Sequence, residues 1–173
     1  FIVFIACGWI NFHLGIRLLG LFILGGLQGG LGWYMVQSGL VDQPDVSQYR
    51  LAAHLGLALV IIAGLFWTAR GLNRTYRERW EFIDSNSLIG LRYGACLVLL
   101  AVFVTAFSGA LVAGLNAGLS YNTFPLMDGN WVPEGLFMMM PPYLNVFENA
   151  ITVQFDHRVL ALSTAALVVL FWT

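Results

Sequence analysis

Between residues 88 and 112 the chain carries one charged side chain, Arg92, near the start of the run. A stretch this long and this apolar has few ways to fold. About 20 such residues cross the hydrocarbon layer of a bilayer as a helix. In lipid every backbone N–H and C=O must be paired internally, which an α-helix does within one segment. The same argument makes spans of residues 18–36, 49–69 and the run from about Val146 to the end. Residues 1–16 are apolar but short, and read as the last part of a helix whose start precedes the sequence. Asn11, His13 and Arg17 mark its exit. The chain is 59% hydrophobic and 10% charged, with mean hydropathy +0.79. A soluble domain carries about 25% charged residues. The fold class is therefore all-α, a polytopic transmembrane helix bundle. With no Lys and a net charge of -1, it offers no basic surface for nucleic acid. Cys7 and Cys96 lie in apolar runs and read as small buried hydrophobes rather than a disulfide. Both ends fall within apolar runs, so a fragment of a longer chain is expected.

The polar segments set the orientation. Arg17, Arg70, Arg74, Arg77, Arg79 and Arg92 fall on one side. Asp42, Asp45, Asp128 and Glu134 fall on the other, with Arg50. Basic residues collect on the cytoplasmic side, or its mitochondrial equivalent, the matrix. Residues 113–145 then form a long outer loop, rich in Pro and aromatics and carrying the run Met138-Met139-Met140. It is too long for a plain connector, and a cap lying over a site is expected. The methionines read as apolar packing rather than as soft-metal ligands. Gly25/Gly29 and Gly26/Gly30 form two Gly-x-x-x-Gly pairs, which favour close helix packing. Gln28, at depth beside them, is expected to bond across helices.

Two histidines enter the bilayer from the outer side. His157 sits in Gln154-Phe-Asp-His-Arg, just before a wholly apolar run. Ionisable groups inside a membrane are costly and usually functional. Gln154 and Ala161 share its helix face, and Thr164 and Ala165 extend that face with small side chains. An axial nitrogen beside a flat slot suits a porphyrin. Arg158 can hold a haem propionate, and Asp156 can pair with Arg158 or take the imidazole N–H. A histidine bonded to a neighbouring helix, or a proton relay, fits the same residues. His54, with Ala58 one turn on, has a similar setting. An interfacial histidine near Arg50 is its bland alternative. His13, beside Arg17, reads as interfacial. The two deep histidines lie on different helices and do not make a zinc site. Paired carboxylates and a Ser/His/Asp set are lacking within the bilayer.

These residues resemble a known family. Gly25-Gly-Leu-Gln-Gly-Gly-Leu-Gly-Trp-Tyr-Met-Val-Gln-Ser-Gly-Leu, Tyr49-Arg-Leu-Ala-Ala-His-Leu, Gly109-Ala-Leu-Val-Ala-Gly-Leu-Asn-Ala-Gly, Tyr121-Asn-Thr-Phe-Pro-Leu-Met-Asp-Gly and Gln154-Phe-Asp-His-Arg are similar to the haem A synthase family in its mitochondrial and proteobacterial form. The resemblance implies eight transmembrane helices in two related four-helix halves. Residues 1–70 would be the later part of the first half, 71–87 an inner-side loop, and 88–173 the start of the second half with its outer loop 113–145. His54 would be an iron ligand for the substrate haem O, and His157 for a haem B cofactor. The implied reaction oxidises a ring methyl of haem O to a formyl group, giving haem A for cytochrome oxidase. The family's catalytic glutamate would lie upstream of Phe1, and the matching position in the second half is Gln154. The eighth-helix histidine would lie after Thr173. Implied partners are the lipid bilayer, an enzyme supplying haem O, an electron donor and a possible second copy. The membrane would be a bacterial plasma membrane or a mitochondrial inner membrane. A transmembrane electron carrier of cytochrome b type, or a porphyrin-handling protein, is the alternative.

Overall fold

A computed structural model of the chain describes residues 2–39, 46–72 and 88–173. Among these, four helices are long and apolar enough to cross a membrane. Asp42, Asp45, Arg74, Arg77 and Arg79, and the inner loop expected over 71–87 apart from Gly71 and Leu72, lie outside the described residues.

The first helix, α1 (Ile2–Ala6), stops early. Gly8 takes φ +69, Gly8 N–H donates to the Ile5 carbonyl and Trp9 N–H donates to the Phe4 carbonyl. That pair of bonds around a left-handed glycine is the Schellman ending. Asn11 then starts the next helix by accepting from Leu14 N–H at 2.9 Å, as an N-cap side chain does. So α2 runs Phe12–Gly39. Its start is six residues before the expected one, and His13 and Arg17 lie in its first turns rather than at the exit of an earlier span. The two signals responsible, Gly8 and Asn11, are local and outweigh the hydropathy that suggested one run to Ile16.

Three further spans are α3 (Gln48–Leu72), α4 (Ile89–Gly114) and α6 (Ala150–Trp172). At 1.5 Å per residue the four are about 35–42 Å long, enough to cross the hydrocarbon layer. Packing follows chain order: α2 against α3, α3 against α4, α4 against α6. The side chains facing outward are large and apolar, such as Phe22 at 72% exposure and Leu99 at 70%. Such a surface belongs against lipid. Cys7 and Cys96 are free and exposed on it, not buried as expected, because a residue facing lipid needs no neighbour.

The α4–α6 pair is antiparallel and in register along its length. Gly94 meets Phe171, Thr105 bonds Thr164 hydroxyl to hydroxyl at 2.8 Å, and Ser108 meets His157. Leu111 clusters with Val153, Ala110 and Ala52, which brings α3 to the same end. Gly114 lets the start of α3 approach closely, for a Cβ there would lie 2.7 Å from the Cβ of Gln48. Tyr49 donates to a Glu148 carboxylate oxygen at 2.8 Å, tying the beginning of α3 to the segment just before α6.

The best-buried residues sit at this end. Asn116 turns the chain out of α4 with φ +52, a conformation Asn tolerates. Residues 115–144 then fold as a cap. Asp128-Gly129 makes a tight turn, both at positive φ, with Met127 and Asn130 exchanging backbone bonds. Met127 is buried beneath it. A short helix α5 (Asn145–Glu148) precedes α6, separated by Asn149 in extended conformation. The last span thus begins at Ala150, after a break, rather than continuously from Val146.

Candidate functional site

The cap is fastened to α6 by a stripe of polar side chains at helical spacing. Asn149 accepts from the N–H groups of Ile151 and Thr152, capping the helix, and donates to the Gly135 carbonyl at 3.0 Å. Asn145, fully buried, accepts from Met139 N–H and donates to the Met139 and Pro142 carbonyls, each at 2.9 Å. The methionine run is therefore held by its backbone, and Met138 and Met140 are exposed. Thr152 accepts from Phe137 N–H. Gln154, 4% exposed, accepts from Tyr121 N–H at 3.2 Å and donates to the Tyr121 carbonyl at 2.8 Å. Arg158 donates to the Thr123 carbonyl at 2.6 Å and the Tyr121 carbonyl at 2.7 Å, with its guanidinium over the Phe124 ring. The sequence puts Gln154 on the histidine's face and leaves Arg158 able to hold a propionate or to pair with Asp156. Here both grip the loop. Among the described residues Asp156 and Arg158 make no ion pair; Asp156 instead lines a cavity of about 430 Å³ with Ser108, Phe107, Leu111 and Val153.

Among these residues, between Gln154 and Arg158, lies His157, the eighth residue of α6. Its Nδ1 lies 2.8 Å from the Ser108 hydroxyl, and that hydroxyl donates to the Thr105 carbonyl, also at 2.8 Å. A serine has one proton to give. Spent on Thr105, it leaves Oγ as an acceptor, so Nδ1 carries the imidazole proton and Nε2 the lone pair. No described residue bonds Nε2. This is the arrangement of a metal-ligating histidine, whose second nitrogen donates to a fixed acceptor. Ser108, not Asp156, meets the imidazole Nδ1. Across the interface Gly109 lies so close that a Cβ there would be 3.1 Å from His157 Cε1.

His54, the seventh residue of α3, repeats part of this pattern. Gly32 of α2 faces it as Gly109 faces His157, a Cβ there lying 3.2 Å from His54 Cε1. Its hydrogen bonds differ. Gln28 donates from Nε2 to the His54 carbonyl at 3.1 Å, and the same nitrogen lies 3.2 Å from His54 Nε2. The cross-helix bond expected of Gln28 is thus formed, and it lands on the histidine. His54 Nδ1 and Gln28 Oε1 are buried without partners. Both histidines lie about 9–11 Å along helices that start at the same end, as the topology argument anticipated. His13 is exposed and stacks edge-on with Phe12, away from either. Gly25, Gly26, Gly29 and Gly30 have no neighbour within 4 Å of a built Cβ, so the Gly-x-x-x-Gly faces meet no described helix.

The donor chemistry at His157 fits an iron ligand, through the Nε2 that no described residue bonds. Neither described cavity is lined by His54 or His157. The larger, about 1160 Å³, lies between α3 and α4 towards Arg17 and Arg70. The described histidine, cysteine and acidic residues form no cluster of three that would hold a bare metal ion.

Comparison with known proteins bears on this arrangement. All of residues 1–173 match the family described as cytochrome oxidase assembly protein, COX15-CtaA. The heme A synthase of Nitrosospira multiformis is 51% identical over 173 residues, covering 99% of this chain and 48% of that protein. Heme A synthase COX15 of Bos taurus is 48% identical over 172 residues, 95% of this chain and 41% of its own. That of Arabidopsis thaliana is 44% identical over 178 residues, 99% and 39%. The chain spans about half the length of the curated relatives it matches. No solved structure matches it.

Proposed function

The chain belongs to the COX15-CtaA cytochrome oxidase assembly protein family, and from that premise we propose that the whole protein is a haem A synthase. It is a membrane oxidoreductase that converts a ring methyl of haem O to a formyl group. The observation that carries this reading is about 50% identity to heme A synthases across a segment containing both deep histidines. His157 would hold the iron of a haem B cofactor, and its ligand-ready tautomer supports the role. His54 is the ligand for the substrate. Haem B, when bound, supplies a one-electron redox centre. Ser108 fixes the His157 ring, and Arg158 keeps the guanidinium N–H groups not spent on Tyr121 and Thr123 for a propionate.

The family's organisation as eight helices in two halves accounts for the repeated contact between a glycine and a histidine in α2–α3 and α4–α6. On that plan residues 1–70 belong to the first half and 88–173 to the second. An enzyme supplying haem O and an electron donor complete the system.

The test is to supply haem O to the purified full-length protein with a reductant and oxygen, then extract and chromatograph the haems. Haem A is expected. Retained haem with no haem A would point instead to a cytochrome b-type electron carrier, and a haem-free protein would sink both readings. His157→Ala is expected to lower bound haem B; wild-type content would remove the ligand assignment.

A further inference from the structure

The two histidines are hydrogen-bonded from opposite sides, and we propose that this makes Gln28 a positioning residue that keeps His54 a displaceable ligand. The inference rests on the reading of His54 as the substrate-haem ligand.

The geometry of Gln28 fixes its own orientation. The His54 carbonyl can only accept, so the Gln28 atom 3.1 Å away must be the amide nitrogen. That nitrogen has a second hydrogen, and His54 Nε2 lies 3.2 Å from it. Nε2 is therefore the acceptor, and the imidazole proton is on Nδ1. An iron atom binding through Nε2 needs the same tautomer, so no proton has to move when it arrives. It does need the lone pair that Gln28 occupies. Ligation at His54 thus requires the Gln28 N–H to withdraw, and loss of the ligand lets it return.

His157 has no such competitor. Ser108 sits behind its ring on Nδ1, leaving Nε2 unoccupied. A support behind the ring strengthens a ligand; a donor in front of it competes. The first suits a resident cofactor, and the second suits a haem that must arrive as substrate and leave as product. Gly32 leaves room for the His54 ring that a Cβ would take, and the group in front of Nε2 is the Gln28 amide, so the exchange falls on the Gln28 side chain. Gln28 Oε1, buried without a partner, is an amide end that nothing else holds in place.

The experiment measures haem O release from the full-length protein to excess apomyoglobin, with haem B retention followed in the same samples. Gln28→Leu removes the donor, and Gln28→Asn shortens it by one methylene so that it falls short of Nε2. Each variant is expected to release haem O on the order of three- to tenfold more slowly, the weight of one neutral hydrogen bond. Haem B retention stays at the wild-type level. Unchanged or faster release would overturn the proposal, because a residue that merely braces His54 would loosen the ligand when removed. His54→Ala separates the two levels of inference. If it releases haem O as wild type does, His54 is not the ligand and the underlying assignment falls too. If it loses haem O while the Gln28 variants show no slowing, the competition alone is refuted.

Discussion

One hydroxyl proton decides what His157 offers. Ser108 gives its proton to the Thr105 carbonyl, so it can only accept from Nδ1, and Nε2 is left as a lone pair. Ser108→Ala removes that acceptor and frees the ring to turn or change tautomer. Loss of such an outer partner costs about 10–100-fold in metal affinity. The expected outcome is a comparable weakening of haem B binding in the full-length protein, read by titration and pyridine haemochrome. Wild-type affinity would show that the serine does not orient the ring. Gly109 adds steric control from the same helix. A Cβ there would press on Cε1 at 3.1 Å, so Gly109→Val is expected to displace the imidazole and lower haem B occupancy by the same assay.

At the scale of the element, the first turns of α6 have two tasks. They hold the cap through Asn149, Thr152, Gln154 and Arg158, and they carry His157 among those same residues. The side chains that anchor the cap and the histidine thus sit on one helix. Arg158 makes two bonds to loop carbonyls, and bonds involving a charged group contribute roughly 1.5–3 kcal/mol. Arg158→Ala is expected to raise amide hydrogen exchange over residues 118–124 by roughly tenfold or more, with α4 unchanged. Arg158→Lys has a single nitrogen and cannot reach both carbonyls as the fork does, so it should fall between. Equal protection in all three proteins would mean that the loop is held without the guanidinium.

For the whole molecule, the end that carries the cap is where three spans converge. Ala52, Ala110, Leu111 and Val153 cluster there, and Gly114 lets α3 reach α4 at Gln48. Gly114→Leu would force those helices apart, and overpacking of this kind costs about 1–3 kcal/mol. A matching loss should appear in detergent unfolding of the full-length protein. The basic side of the chain predicts that this end faces away from the cytoplasm or matrix. With Cys7 and Cys96 replaced by Ala, Ser120→Cys in the exposed cap should react with a membrane-impermeant maleimide added from outside intact cells or mitoplasts. Labelling seen only after lysis would invert the topology.

Hydropathy alone determined that this chain is a membrane-spanning helical bundle, because a backbone in lipid has few ways to satisfy itself. The depth and shared side of His54 and His157 were also legible, since a helix converts sequence position into height. Where helices stop was less so. Gly8 and Asn11 moved the start of α2 through single backbone bonds that a hydropathy average smooths over, and Asn149 did the same for α6. Cross-helix partners were decided by tertiary structure. Nothing in the order of residues says that Ser108 would stand behind one imidazole and Gln28 before the other, or that Arg158 and Gln154 would hold the loop. Those pairings depend on the rotation and register of packed helices, which bring together side chains 26 to 49 positions apart.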